Sequence, residues 1–290
     1  MIMGLLLTLR PPFLLLALVT VALGAALTPP ALLLESDWLL VLLGALAAHG
    51  AVNVLNEYAD FRSGLDLHTE RTPFSGGSGY LPAHPHAASA ALALGLTLLL
   101  LTGLIGLWLS WRTGPGLLPV GIAGVLLVAG YSPWITRNRW LSLLAPGTGF
   151  GLLMLLGSQR VLAGEYTAAG LAAGVVLWAL INNLLLLNQL PDCDADRRVG
   201  RDNLALRYGP ALARRVYAAN WLLALLVLLL AVLAGWLPVA SLLALPAFAL
   251  GLHSLWLGRP DGDLLLALRS NVLQSLLVPG LMALGICLAR

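Results

Sequence analysis

Residues 171–203 read LAAGVVLWALINNLLLLNQLPDCDADRRVGRDN. The first two-thirds is apolar enough and long enough to cross the hydrocarbon of a bilayer, which takes roughly 20 residues of helix. It runs without interruption into Asn188, Gln189, Asp192, Asp194 and Asp196, so an acidic cluster sits at the end of a membrane span. The composition agrees. Of 290 residues, 59% are hydrophobic and 10% charged, where soluble domains have about 45–50% and 25%, and the mean hydropathy is +0.90. A disordered chain, a collagen-like chain and a secreted disulfide scaffold are excluded. All 16 basic residues are arginine, and against 13 carboxylates the net charge of +3 is too small to point to nucleic acid. Cys193 and Cys287 lie in regions of different character and define neither a disulfide nor a metal framework. Arg10 and two prolines precede the first apolar run, no small-residue cleavage site follows it, and a retained first span is expected.

Cutting the chain at its Gly, Pro and charged punctuation gives nine candidate spans, near 13–28, 38–58, 87–110, 115–132, 141–160, 167–190, 213–234, 237–257 and 271–288. An all-α polytopic membrane protein follows, with the short fourth span and the Pro-containing eighth (Pro238, Pro246) fitting least well. Thirteen arginines fall on the side of the N-terminus and the even-numbered loops, and three (Arg112, Arg160, Arg290) on the other. Positive charge accumulates on the cytoplasmic side, so the N-terminus is expected there. Ten of the carboxylates, Glu70, Asp261 and Asp263 among them, share that face.

The acidic cluster has an echo at 53–79, NVLNEYADFRSGLDLHTERTPFSGGSG. Asn56 and Asp60 are spaced as Asn188 and Asp192 are, and D-x-x-x-G-x-D occurs as Asp60/Gly64/Asp66 and again as Asp196/Gly200/Asp202. Because the two follow spans four helices apart, they predict an internal duplication. The expected layout is two four-helix repeats (about 10–135 and 140–257) plus a final helix at 271–288, one domain over 1–290 around a central cavity. Residues four apart share a helix face, so Asn56 with Asp60, and Asn188 with Asp192 and Asp196, point together. Converging carboxylates repel unless a cation neutralises them, and hard oxygen donors suit Mg²⁺ shared with substrate phosphates. Arg62, Arg71, Arg137 and Arg201 are the nearby forks for phosphate oxygens.

Acidic residues in a loop are usually solvated decoration. The duplication argues against that here, as do Asn53, Asn56, Glu57, Asn182, Asn183, Asn188 and Gln189 at the inner ends of spans, where polar groups face a cavity or a partner helix. Asp261 and Asp263 have no such neighbours and read as solvated. Cys193 reads as a bystander and His68, His84 and His86 as surface histidines.

The ordered set of motifs resembles the UbiA superfamily of intramembrane prenyltransferases, in the form of its 1,4-dihydroxy-2-naphthoate branch. NEYADFRSGLD is similar to the first Asp-rich motif, with Glu57 for the usual Asp, and NQLPDCDADRRVGRDNLALRYG to the second, with Arg201 where lysine is common. Arg10-Pro11 and Gly130-Tyr131-Ser132-Pro133 with Arg137 match two further elements. The resemblance implies Mg²⁺-dependent transfer of an isoprenyl group from an allylic polyprenyl diphosphate to a small aromatic quinone precursor, at the cytoplasmic side of a bacterial-type inner membrane. It puts Asn56, Asp60, Asp66, Asp192 and Asp196 on the metal. The diphosphate falls to Arg71, Arg137, Arg201, Asn56 and Asn188, and catalysis to Asp60, Asp192 and Tyr131. Asp194 is set apart, since two residues beyond Asp192 it points elsewhere on a continuous helix. NRWLSLL after Arg137 and RTPFSGGSG (71–79) depart from the branch pattern and leave the acceptor open between this and another aromatic or lipid acceptor. Gly76-Gly77-x-Gly79 reads as a hinge over the site or a backbone cradle for phosphate. Two rivals remain. A phosphatidyltransferase lacks its D-G-x-x-A-R pattern here, and a transporter places its polar site near the midplane rather than at span ends. No obligate protein partner is called for.

Overall fold

The computed structural model describes residues 2–33, 35–69, 71–259 and 262–290, and among them there are helices and no strand. The crossing helices are α1 (Leu6–Ala26), α2 (Asp37–Ser63), α3 (Pro85–Thr113), α4 (Pro115–Gly130), α5 (Arg139–Ala163), α6 (Ala168–Arg198), α7 (Pro210–Leu233), α8 (Val239–Trp256) and α9 (Leu264–Leu288). Eight are long and apolar enough to span a membrane; α4 is apolar but shorter. The nine expected spans, the fourth of them short, are thus eight full-length helices and a shorter one among the described residues. The reason is local: Gly114, at φ 95°, and Pro115 make the turn before α4, and the chain leaves the helix at Gly130.

The charges separate by end. Arg112 pairs with Asp37, Arg160 donates to the Thr113 carbonyl at 3.1 Å, and Arg290 donates to the carbonyls of Ala26 and Thr28, all at the end opposite the acidic motifs. Exposed Trp108, Trp111 and Trp236 lie at that end and Trp134, Trp140 and Trp256 at the other, the two levels at which indole rings anchor a protein in a bilayer. Helix α9 packs on α1, α6 and α8 and closes the bundle. It starts at Leu264 rather than near 271, because the Asp263 side chain accepts the Leu266 N–H at 3.0 Å and so caps an orphan donor of the first turn. Asp263 is thus exposed, as expected, and also caps the helix, while Asp261 and Glu70 fall outside the described residues.

The two halves of the bundle are filled differently. Around α6, α7, α8 and α9, Leu177, Leu180, Leu228, Phe248, Val278 and Met282 form a close-packed core, tied by polar groups that have no water to turn to. Tyr217 donates to Asn271 Oδ1 at 2.9 Å, Asn271 to the Asn183 carbonyl at 3.1 Å, and Asn183 to the Tyr217 carbonyl at 2.9 Å. Asn182 Oδ1 accepts the Gly147 N–H at 2.7 Å. Of the alternatives open to Asn182 and Asn183, these contacts select the partner helix. Between α1, α2, α3, α4, α5 and α6 the bundle instead leaves an apolar cavity of about 520 Å³ that is open on one side. Gly103, Gly106, Gly121 and Gly124 face open space there, with no atom within 4 Å of where a Cβ would stand. Pro146 and a π-helical turn at Thr148–Met154 swing α5 around it, and Phe150 meets the edge of His49 with ring centroids 4.6 Å apart.

Candidate active site

Both motif helices continue past their apolar runs. Helix α2 reaches Ser63 instead of 58, and α6 reaches Arg198 instead of 190, through Pro191. The i, i+4 faces therefore survive to the end of each span. Asn56 donates to Asp60 Oδ2 at 2.8 Å, and Asn188, Asp192 and Asp196 face them across a polar pocket of about 100 Å³ that Asp66, Tyr131, Arg10, Arg201 and Asn203 also line. Arg10, Asn56, Tyr131 and Asn188 line the apolar cavity as well, with Leu185 beside them, so an apolar chamber and a charged one meet at these four polar side chains and one leucine.

The pocket concentrates negative charge away from water: Asp60 is 7% exposed, Asp66 6% and Asp196 4%. Burial, with repulsion from Asp60 and Glu57 added, pushes the Asp66 carboxyl up to about 7 against the pull of Arg71 and Arg201. Burial likewise pushes the Tyr131 phenol up to about 12, which keeps it a neutral O–H dipole. Arg201 binds both motifs, pairing with Asp60 and lying 3.5 Å from Asp196 Oδ1. Burial opposes its charge, yet Asp60 and Asp196 hold it above the ordinary value. Asn203 donates to Asp196 Oδ2 at 2.7 Å.

Three buried oxygens here have no hydrogen-bond partner: Asp66 Oδ2, Asp192 Oδ1 and Asn188 Oδ1. An unpaired buried carboxylate oxygen is costly, and a hard cation is the ligand such oxygens accept. Among the described residues no three acidic, imidazole or thiol groups converge tightly enough to cage an ion unaided.

The pocket's remaining wall is a strap at 71–79. Thr72 Oγ1 accepts the N–H groups of Phe74 and Ser75 at 3.1 and 2.9 Å, and Arg10 donates to the Phe74 carbonyl at 3.0 Å. Glu57, 2% exposed, accepts the Ser78 N–H at 3.1 Å and the Ser78 hydroxyl. Gly77 is at φ 71°, and a Cβ on it would stand 3.4 Å from Asp66 Oδ1. The glycine run is thus a close backbone approach to the acidic pocket. Glu57 does not line that pocket; it ties the strap down.

Of the anticipated site residues, Asn56, Asp60, Asp66, Asn188, Asp192, Asp196, Arg201 and Tyr131 come together, and Arg71 and Arg137 do not. The Arg71 guanidinium lies against Gly79, where any Cβ would collide with it, and reaches Asp66 through its charge only. Arg137 is exposed and lines a neighbouring cavity of about 330 Å³, on the far side of Asp60 and Arg201. Arg62 is exposed and outside the pocket. The Asp194 side chain is 88% exposed and 3.5 Å from Arg197, in keeping with its place on the helix. Cys193 donates to the Gln189 carbonyl at 3.3 Å. His68 lies 3.4 Å from Arg198, and His84 stacks on Tyr80. Gln189 lines the pocket, one of the two alternatives its place at a span end left open, and Arg10 and Asn203 line it without having been assigned to the site. Asn203 carried a local signal, since it caps the helix Leu204–Tyr208 by accepting the Leu206 N–H at 2.8 Å. Arg10 carried only the Arg10-Pro11 resemblance, which gave it no role in the pocket; it is the one non-glycine residue at positive φ (52°) among those described.

Comparison with known proteins agrees with this geometry. The family model described as "UbiA prenyltransferase family" matches residues 17–271. The 1,4-dihydroxy-2-naphthoate octaprenyltransferase of Mycobacterium leprae is 31% identical over 238 residues, covering 80% of this chain and 78% of that one. Its Mycobacterium tuberculosis counterpart is 31% identical over 255 residues, 85% of each. A UbiA homolog from Archaeoglobus fulgidus, solved bound to DMAPP and Mg²⁺, superposes with a TM-score of 0.70 at 15% identity, over 99% of this chain and 100% of that one; at that identity the likeness concerns the fold. With a match over most of its length and an apolar chamber opening on paired acidic motifs, this chain belongs to the UbiA prenyltransferase family, as a multi-pass membrane enzyme.

Proposed function

We propose that the protein transfers an isoprenyl group from an allylic polyprenyl diphosphate to an aromatic quinone precursor of the 1,4-dihydroxy-2-naphthoate type, with Mg²⁺, at the cytoplasmic end of a bacterial inner-membrane bundle. The observation that carries this reading is the junction at Arg10, Asn56, Tyr131 and Asn188 of an apolar chamber sized for a lipid tail and a polar pocket with three unpaired oxygens. The mycobacterial relatives supply the acceptor class and the Archaeoglobus structure the metal and substrate type.

In this reading Asp60, Asp66, Asp192 and Asp196, with Asn56 and Asn188, hold the metal–diphosphate group. Bound Mg²⁺ supplies the positive charge that lets diphosphate leave. Arg201 offers a planar fork to phosphate oxygens. The allylic C–O bond breaks with its electron pair leaving on the diphosphate, a ring carbon of the electron-rich acceptor forms the C–C bond, and that carbon then releases a proton, or CO₂ where it bears a carboxylate, the freed bonding pair restoring the aromatic ring. Tyr131, kept neutral by burial, presents a dipole and not a nucleophilic phenolate to the developing allylic cation, and the apolar walls exclude water that would quench it.

The test is mass spectrometry of products after purified protein is incubated with allylic diphosphates of several lengths and a panel of aromatic acceptors. A prenylated product that requires Mg²⁺ and disappears in Asp60→Ala and Asp192→Ala is expected. Each variant should lose at least about 10²-fold in turnover, the scale of losing a central electrostatic contact, while inserting normally. Full activity in both would overturn the assignment.

A further inference from the structure

We propose that Arg201 occupies the cation position between the two acidic motifs until a diphosphate arrives, so that divalent metal and diphosphate bind as a coupled pair. The proposal rests on the reading of the polar pocket given above. Arg201 pairs with Asp60 Oδ1 and donates to Asn56 Oδ1 at 3.3 Å, both on α2, while its Nη1 lies 3.5 Å from Asp196 Oδ1 on α6. One guanidinium therefore spans oxygens from both motifs. It is well enclosed: the Arg201 side chain is 19% exposed, that of Asp60 10% and that of Asp196 5%.

The backbone delivers it there. Gly200, at φ 77°, turns the chain back on α6, the Arg201 N–H returns to the Asp196 carbonyl at 3.0 Å, and the Asp202 N–H is held by the Thr136 carbonyl at 3.1 Å. The pocket's other arginine is committed elsewhere, since Arg10 is spent on the Phe74 carbonyl and lies over the Phe13 ring at 4.6 Å. Arg201 is thus the guanidinium that stands between the two motifs, a long side chain on the turn after α6.

A guanidinium and a divalent ion cannot share the same carboxylate oxygens at close range, because like charges in a partly dry pocket repel strongly. Asp60 and Asp196 become available only when Arg201 lets go. Diphosphate provides the exchange: its oxygens match the guanidinium fork bidentately, so Arg201 moves from carboxylate to phosphate and the freed carboxylates take the metal. By linkage each ligand then tightens the other by the same factor. The oxygens left unpaired, Asp66 Oδ2, Asp192 Oδ1 and Asn188 Oδ1, are those Arg201 does not touch.

Mn²⁺ binding to the full-length protein in detergent, followed by loss of the free-ion EPR signal with no diphosphate present, separates this from a purely phosphate-gripping arginine. Arg201→Gln is expected to bind Mn²⁺ about tenfold tighter than the native protein, within the usual range of coupling between sites. Arg201→Lys, which keeps the charge but not the span, should fall between. With a geranyl thiolodiphosphate analogue added, the native protein should gain Mn²⁺ affinity and Arg201→Gln should gain little. Mn²⁺ affinity unchanged or weaker in both variants overturns the proposal; if the glutamine variant does not fold, the lysine variant decides by the same criterion. A native protein that binds no Mn²⁺ even with the analogue overturns the metal–diphosphate reading of the pocket itself.

Discussion

Asp66 and Asp202 close the same D-x-x-x-G-x-D pattern in the two motifs, and they end in opposite places. Gly64 and Gly200 are both left-handed, at φ 79° and 77°, so the chain leaves each motif helix through a glycine of the same hand. Beyond it the paths part. Leu65 packs into the interior and draws Asp66 inward, 6% exposed with an unpaired oxygen, and the strap at 71–79 folds back over it. In the second motif Arg201 takes the place of Leu65 and turns into the pocket, while Asp202 points away and pairs with Arg139 at 2.7 Å. The repeated pattern sets the hand of the glycine; the residue after the glycine and the chain that follows decide which side chain enters the site. The pocket thus receives a carboxylate from one loop and a cation from the other.

This asymmetry breaks if the two aspartates prove equivalent. Asp66→Asn should lower turnover by about 10²-fold, as loss of a charge in a preorganised site does, whereas Asp202→Asn removes a half-exposed ion pair worth little and should stay within about threefold. Steady-state kinetics on the two variants, at matched membrane insertion, would reverse the comparison if Asp202→Asn were the more damaging.

The strap sharpens it. Glu57→Gln weakens a charge-assisted tether to Ser78 and should raise the apparent KM for the diphosphate about fivefold with kcat little changed. Glu57→Asp, which keeps the charge on a shorter arm, should recover part of that. A loss confined to kcat would place Glu57 on the reacting groups instead. The smallest effect is expected at Arg137. Lying beyond Asp60 and Arg201 in a separate cavity, its replacement by Ala should change diphosphate affinity by no more than about twofold, on the scale of a solvated charge. A larger loss would return it to the diphosphate set.

Most of the pocket's carboxylates were legible in advance because they obey a local rule. Asn56 with Asp60, and Asn188 with Asp192 and Asp196, are one helical turn apart, and that period survives whatever the helices pack against. The membrane environment was legible for the same reason, since burial in lipid needs only a long enough apolar run. The short α4 was legible from its punctuation, whereas the early start of α9 escaped, because the Asp263 cap shifts the boundary within a stretch whose hydropathy does not change. The arginines escaped more completely. Arg71, Arg137 and Arg201 looked alike as forks beside acidic residues, and only Arg201 reaches the pocket, while Arg10 reaches it from the first turns of the chain.

The sequence by itself therefore determined the membrane-spanning helices, the end of the bundle that carries the acidic motifs and the faces on which the acidic groups stand, all consequences of hydropathy and a 3.6-residue period. Tertiary structure alone decided that Arg201 meets Asp60 across 141 positions of chain, that Glu57 holds the strap, and that Asp202 is left outside. Those contacts depend on how loops of different length fold back onto helices packed from distant parts of the chain, and no local spacing encodes that.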